Sequence, residues 1–254
     1  MIRLSKRLEM IAQEVPAGSR LADIGSDHAL LPSFLAQQGT ILRGVAGEVN
    51  AGPFEAALKQ VRSAGLDGII DVRLGDGLQV ISPGEVDVIT IAGMGGTLIA
   101  SILEAGISKL AGVRRLVLQP NVGEANVRQW LLDHEWVLTG EKIMREDGKT
   151  YEILTAVPTD LAPYGNNELY ASRTLPGGLI ADRKLMLQMG PFLLREASQV
   201  WIDKWLNELE KLNRICERLS HSELEASRSK EAEIKREMQR IKEVLELCTP
   251  KDKP

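Results

Sequence analysis

A chain of 254 residues with 44% hydrophobic content can bury one sizeable core and leave residues for a smaller second unit. Its net charge of −4 excludes binding of nucleic acid through overall positive charge, so any such site is a local patch. No uncharged apolar run reaches the roughly eighteen residues that cross a bilayer, and two cysteines without C-x-x-C spacing, Cys216 and Cys248, exclude a disulfide scaffold and a zinc site.

The opening segment MIRLSKRLEMIAQEV has basic residues but no apolar core with a cleavage site, and reads as an amphipathic helix. A cytoplasmic protein with no membrane segment and no metal is expected. Strand-like runs then follow at SRLADIG, ILRGVAGEV, GIIDVRLGD, VDVITIAGM and RRLVLQPN. Helical patterns such as PFEAALKQVRSAGL and GTLIASILEAGISKL separate them. Continuous apolar strands alternating with helices predict an α/β fold with a parallel sheet covered on both faces. After the helix around EANVRQWLLDHE, the runs WVLTGEKIMRE and TYEILTAV meet across EDGK, whose Asp-Gly predicts a hairpin and an antiparallel strand.

The segment PTDLAPYGNNELYASRTLPGGL is rich in Pro, Gly and Asn and reads as a linker or crossing segment. The expected division is 1–160 for the α/β domain, 161–180 for the crossing segment and 181–254 for a helical domain. In that last part Ile202, Trp205, Leu209, Leu212, Cys216 and Leu219 recur in steps of three and four, as do Ile234, Met238, Ile241, Leu245 and Cys248. They predict a helical hairpin, a short coiled coil, turning at SHSELEASRSK, with Trp201 and Trp205 as core or docking contacts. Charge divides with the domains. Residues 1–165 hold 15 Lys/Arg against 20 Asp/Glu, and the rest hold 16 against 15. Arg3, Lys6 and Arg7, and Lys109, Arg114 and Arg115, are the visible basic clusters; each is equally readable as solvated surface.

The stretch LADIGSDHALLP stands where α/β enzymes carry a glycine-rich cofactor loop, at a strand end opening into a helix N-terminus near His28 or Ala29. It has a single glycine, Gly25. Asp27 occupies the position where a pyrophosphate needs close backbone approach, and its carboxylate repels phosphate. A cofactor without phosphates tolerates it, and S-adenosylmethionine, with its cationic sulfonium, favours it. The second strand ends in Glu48, where a carboxylate grips a ribose diol, somewhat beyond the usual spacing of about twenty residues. The third ends in GDG, with Asp76 placed to accept from an adenine amine. The fourth ends in AGMGG, Ala92 to Gly96, a backbone-lined floor without a general base.

Together DIGSDHALLP, AGEVN-x-GP, LGDGL, IAGMGG and LQPN resemble the bacterial tRNA (adenine-22-N1)-methyltransferase family. The resemblance runs from the first helix through Pro158 and more loosely into the C-terminal helices. It implies a Rossmann-like class I methyltransferase, with a seven-stranded, mostly parallel sheet ending in an antiparallel hairpin, and a small all-α C-terminal domain. By position, Asp23 and Gly25 shape the loop, and Ser26, Asp27 and His28 lie against the methionine end or the ribose. Glu48 holds the ribose hydroxyls with Val49 against the adenine ring. Asp76 and Gly77 read the adenine edge, and Ala92, Gly93 and Met94 line the transfer site. The Asn-Pro-Pro-Tyr type motif often used on exocyclic nitrogens is absent. Adenine N1 has an in-plane lone pair, so the implied reaction is in-line methyl transfer without an obligatory base.

Asp27 either stabilises the cationic product or only orients the cofactor. His28 is a helix-start residue whose ring donates to a neighbour or to cofactor; general-base work is not required of it. Gln119, Pro120 and Asn121 either bond an extruded adenine or form the turn into the next helix. Arg3, Lys6 and Arg7 are candidate contacts to the tRNA backbone. The implied partner is tRNA, its shape read by the C-terminal helices, with the protein a monomer or weak homodimer. Two other readings fit parts of the chain: a small-molecule methyltransferase, and an NAD-binding oxidoreductase or degenerate binding module.

Overall fold

The computed structural model describes residues 2–175, 177–220 and 225–248. The chain divides into two compact units, Met1–Leu169 and Tyr170–Pro254. In the first, helix α1 (Lys6–Ala12) leads into β1 (Ser19–Ile24), α2 (Leu30–Gln37), β2 (Ile41–Glu48), α3 (Ala51–Ser63) and β3 (Ile70–Leu74). A 3-10 turn (Gly77–Val80) leads to β4 (Val88–Gly95), α4 (Gly96–Ala105), β5 (Arg115–Val122) and α5 (Glu124–Asp133). Strands β6 (Trp136–Glu146) and β7 (Lys149–Pro158) complete the sheet, and α6 (Asn166–Leu169) closes the unit.

The sheet order is β3-β2-β1-β4-β5-β7-β6. Strands β1 to β5 pair in parallel, while β7 runs antiparallel to both β5 and β6. The hairpin is the one that EDGK predicts, and seven strands is the number that the family resemblance implies. Consecutive buried residues along β1, β4 and β5 show cover on both faces. One face packs Leu21, Val88 and Val117 against Ile11, Leu31, Leu35 and Val61 from the helices. The β6–β7 turn pairs Glu146 with Lys149 around Asp147 (φ 49°) and Gly148 (φ 74°), the double left-handed geometry for which Asp-Gly is selected.

Beneath the hairpin lies a buried charge cluster. Arg128 of α5 bonds Glu141 of β6 through Nε at 2.6 Å, and also Glu152 of β7 through Nη2. All three residues are buried. Removing the arginine leaves two carboxylates without their common counter-ion, so the cluster fixes where α5 meets the hairpin.

In the second unit, β8 (Arg173–Thr174) and β9 (Ile180–Ala181) form a two-stranded sheet, followed by α7 (Arg183–Met189) and α8 (Leu193–Glu196). Helices α9 (Gln199–Ser220) and α10 (Glu225–Cys248) form the predicted helical pair. Their seam is close to the expected one: Ile202, Trp205, Leu209 and Cys216 are buried from α9, and Ile234, Met238, Ile241 and Leu245 from α10. Leu212, Leu219 and Cys248 are only half-buried, at the looser edge of each stripe. Trp201 and Trp205 are both buried, edge to face at 6.3 Å, with Trp201 Nε1 donating to the Met189 carbonyl at 2.9 Å. Of the segment SHSELEASRSK in which a turn is expected, Ser220 and the residues from Glu225 onward are helical, and residues 221–224 lie outside the described residues.

Arg128→Ala is expected to cost about 3–5 kcal/mol of stability, because it strands buried carboxylates. Urea unfolding measures it, and a loss under about 1 kcal/mol would show that the cluster does not hold the hairpin.

Candidate active site

The residues of the loop and strand ends singled out in sequence gather at the carboxyl ends of β1 to β5, where ligands bind in sheets of this kind. Asp23, near the end of β1, is almost fully buried. Its Oδ2 accepts from the Ser26 hydroxyl at 2.6 Å and its Oδ1 from the Thr90 hydroxyl of β4 at 2.5 Å. Burial pushes the Asp23 carboxyl above its usual range, a shift partly offset by the two hydroxyls, raised further by Asp27 and drawn down by Arg7. The N–H groups of Gly25 and Ser26 both donate to the Gly47 carbonyl of β2, at 2.9 and 3.2 Å. Gly25 has φ 68°, and a β-carbon there would collide with the Met94 methyl.

Beyond Ser26 the chain makes three left-handed residues in a row: Asp27 (φ 46°), His28 (φ 66°) and Ala29 (φ 56°). Non-glycine residues adopt this region sparingly, so the loop is held by its surroundings. Helix α2 therefore begins at Leu30, later than His28 or Ala29, with Ala29 as a cap that supplies no side-chain bond. The run turns the Asp27 and His28 side chains outward, 78% and 53% exposed, with His28 Nε2 3.5 Å from Asp27 Oδ1.

Glu48, at the end of β2, is only 6% exposed. Burial raises its carboxyl above the usual range; the Asp27 and His28 backbone N–H groups lower it, and the nearby Asp23 and Asp27 charges raise it. Its Oε1 is buried with no hydrogen-bond partner among the described residues. A buried acceptor left unpaired is costly, which marks it as a place for a ligand donor. Val49 beside it is 59% exposed, an apolar surface at the mouth. Asp76 stands exposed at the start of the 3-10 turn, followed by Gly77. Ala92, Gly93 and Met94 lie near the end of β4, where its register against β5 shifts.

Gln119, Pro120 and Asn121 end β5, and their positions differ from one another. Gln119 and Pro120 are buried, whereas Asn121 is exposed at the rim. Both polar atoms of the Gln119 amide are engaged within the protein. Arg7, from α1, is half-buried against this floor, while Arg3 and Lys6 are exposed. Lys109, in the turn before β5, and Arg115, at the amino end of β5, donate to the carbonyls of Ile81 and Glu14.

Three contributors have no sequence signal. Thr90 reads only as a strand residue, yet its hydroxyl holds Asp23. Tyr151 of β7 lies under the Arg7 guanidinium, 5.4 Å from carbon to ring centre. Glu146 of β6 accepts the backbone N–H groups of Lys6 and Arg7, at 2.7 and 3.3 Å, and pins the start of α1 to the hairpin.

The arrangement fits S-adenosylmethionine. It offers an orphaned buried carboxylate oxygen for hydroxyl donors, an apolar surface and an acid beside it, and acidic groups where a cation would rest. It fits a dinucleotide poorly, since the carboxylate-bearing Asp27 stands in the turn that a diphosphate would occupy. Among the described residues no helix is long and apolar enough to cross a membrane, and no group of three His, Cys, Asp or Glu side chains is placed to hold a metal.

Comparison with known proteins agrees with this geometry. The family model described as tRNA (adenine(22)-N(1))-methyltransferase matches residues 21–243. The tRNA (adenine(22)-N(1))-methyltransferase of Bacillus subtilis (strain 168) is 42% identical over 246 residues, covering 96% of this chain and 98% of that protein. The crystal structure of the B. subtilis M1A22 tRNA methyltransferase superposes with a TM-score of 0.86, over 96% of this chain and 100% of that one. A Streptococcus pneumoniae protein solved in complex with S-adenosyl-L-methionine is 41% identical, with a TM-score of 0.78 over 96% of this chain and 100% of that one. The readings as a small-molecule methyltransferase and as an NAD-binding oxidoreductase fall away against these matches. The chain belongs to the tRNA (adenine(22)-N(1))-methyltransferase family.

Proposed function

We propose that this chain transfers a methyl group from S-adenosylmethionine to N1 of adenine 22 in tRNA, giving 1-methyladenosine, and does so in the cytoplasm. The observation that carries the reading is the unpaired, buried Oε1 of Glu48 at the end of β2, in a chain of this family. Glu48 takes the ribose hydroxyls; Val49, Asp76 and Gly77 hold the adenine ring and its edge. The loop from Asp23 to His28 encloses the methionine end. The carboxylates of Asp23, Asp27 and Glu48 make the cleft favourable to a cationic cofactor. When bound, S-adenosylmethionine supplies an electrophilic methyl group on a sulfonium.

The chain's own work is then alignment. Adenine N1 has a free in-plane lone pair, so no proton leaves before attack, and the floor from Ala92 to Gly96 contains no ionisable side chain. His28, exposed beside Asp27, is not needed as a base. Asp27 is largely solvated, which weakens its field at the product, so orientation of the cofactor is its main part. The target adenine leaves its stack to reach the floor. Arg3 and Lys6 contact tRNA phosphates, and the second unit reads tRNA shape. The protein acts as a monomer or weak homodimer.

With isotopically labelled S-adenosylmethionine and unmodified tRNA, the label is expected in 1-methyladenosine at position 22 after digestion and mass spectrometry. An unlabelled tRNA pool would overturn the reading. Glu48→Gln is expected to weaken S-adenosylhomocysteine binding by about tenfold, ~1.4 kcal/mol, with the fold intact; calorimetry at unchanged affinity would remove Glu48 from the ribose.

The raised carboxyl of Glu48 sets the pH dependence. Its charged form is the acceptor, so cofactor affinity falls as pH drops through a value above the usual 4.5, and Glu48→Gln lacks that step. Unliganded stability runs the opposite way. A folded-state value above the unfolded one means that the folded state holds more protons, so this group's contribution falls as pH rises between the two. Across that window Glu48→Gln is expected to gain stability relative to the parent, read by urea unfolding at stepped pH; a flat difference would contradict the burial of the charge.

A further inference from the structure

Arg7 reaches the transfer floor from α1 and has no carboxylate partner for its guanidinium among the described residues. Its Nη1 donates to Gln119 Oε1 at 2.6 Å, and its plane lies near the Tyr151 ring. Arginine has donors only, so the Gln119 atom it meets must be the amide oxygen. That same oxygen accepts the Gly93 N–H at 3.2 Å. The Gln119 nitrogen is thereby turned away, donating to the Pro120 carbonyl at 2.9 Å and to Asn121 Oδ1 at 3.2 Å. With its oxygen so used, Asn121 directs Nδ2 to the Gly93 carbonyl at 2.7 Å. The arginine, with the shorter of the two bonds to that oxygen, acts together with the Gly93 N–H to set the orientation of two amides whose shape alone would allow either. Gly93, at φ 78° on the floor, is held at both its N–H and its C=O.

We propose that Arg7 is a positioning residue for methyl transfer, acting through Gln119 to fix Gly93 and to present Asn121 at the rim in one amide orientation. The inference rests on the methyl-transfer reading above. It differs from a role for Arg7 as a phosphate contact, which needs only positive charge. The relay needs a fork that reaches Gln119 while its plane covers Tyr151, and lysine has neither. The relay therefore acts on turnover, since misplacement by 1 Å costs about a hundredfold.

The test compares R7K, R7A, Q119L and R7A/Q119L by steady-state methylation of tRNA, S-adenosylhomocysteine calorimetry and hydrogen exchange of the Gly93 amide. R7K and R7A are expected to lower kcat by about ten- to a hundredfold while the KM for tRNA stays within about twofold. R7A/Q119L is expected to be no slower than the slower single variant, because the two residues act as one unit. Exchange at Gly93 is expected to quicken about tenfold in R7K and Q119L in the absence of any substrate. R7K retains the charge and the helix, and decides the matter if R7A does not fold. A raised KM with intact kcat in R7A, restored by R7K, would overturn the proposal in favour of a phosphate contact. Multiplying losses in the double variant, or unchanged Gly93 exchange, would overturn it as well. A parent that leaves tRNA unlabelled while Gly93 exchange still responds to R7K would sink the functional reading and leave the relay standing.

Discussion

A carboxylate withdrawn from water at a strand end must be compensated locally, and at Asp23 the compensation shapes the site. Its two oxygens each take one hydroxyl, one from the loop that follows and one from the neighbouring strand. Drawing Ser26 back under Asp23 forces the chain to turn outward at once. It does so through three left-handed residues, each costing of order 1–3 kcal/mol. The Gly47 carbonyl, which receives two consecutive N–H groups, holds the other side of the turn. The loop is therefore rigid because it is over-determined, without the extra glycines that would make such a turn easy.

That geometry decides what the cleft accepts. A glycine-rich loop offers bare N–H groups to phosphate; here the Asp27 and His28 N–H groups lower the pKa of Glu48, and three carboxylates share the neighbourhood. The ends of β1 and β2 thus favour a cation and leave one acceptor open for a hydroxyl. The ends of β4 and β5 supply the opposite character, an uncharged floor held by amides and one arginine. The two sides of the cleft differ in charge because they are built on different strands.

Much of this was legible in the residues. The strand ends at Asp23, Glu48, Asp76 and Ala92 follow from apolar runs that stop at acidic or glycine residues, and Asp147-Gly148 announced the hairpin. The left-handed run was not legible: Asp and His tolerate that region better than most residues, but Ala29 does not, and three in succession are set by the surroundings. Nor was the division of labour at LQPN. Gln119 and Asn121 look alike in sequence and would share a face of a regular strand, but Gln119 lies in the buried stretch of β5 and Asn121 at its exposed end. Thr90, Tyr151 and Glu146 act across long sequence separations, and nothing local to them announces a partner.

The carboxylate of Glu146 that receives the first N–H groups of α1 has a consequence for biosynthesis. It joins residues 140 positions apart, so the N-terminal helix cannot take its final place until the hairpin strands have emerged from the ribosome. The loop around Asp23 needs only β1, β2 and β4, and can form earlier. The contacts around Asp23 span at most 67 residues, so they can close well before the one that pins α1 to the hairpin.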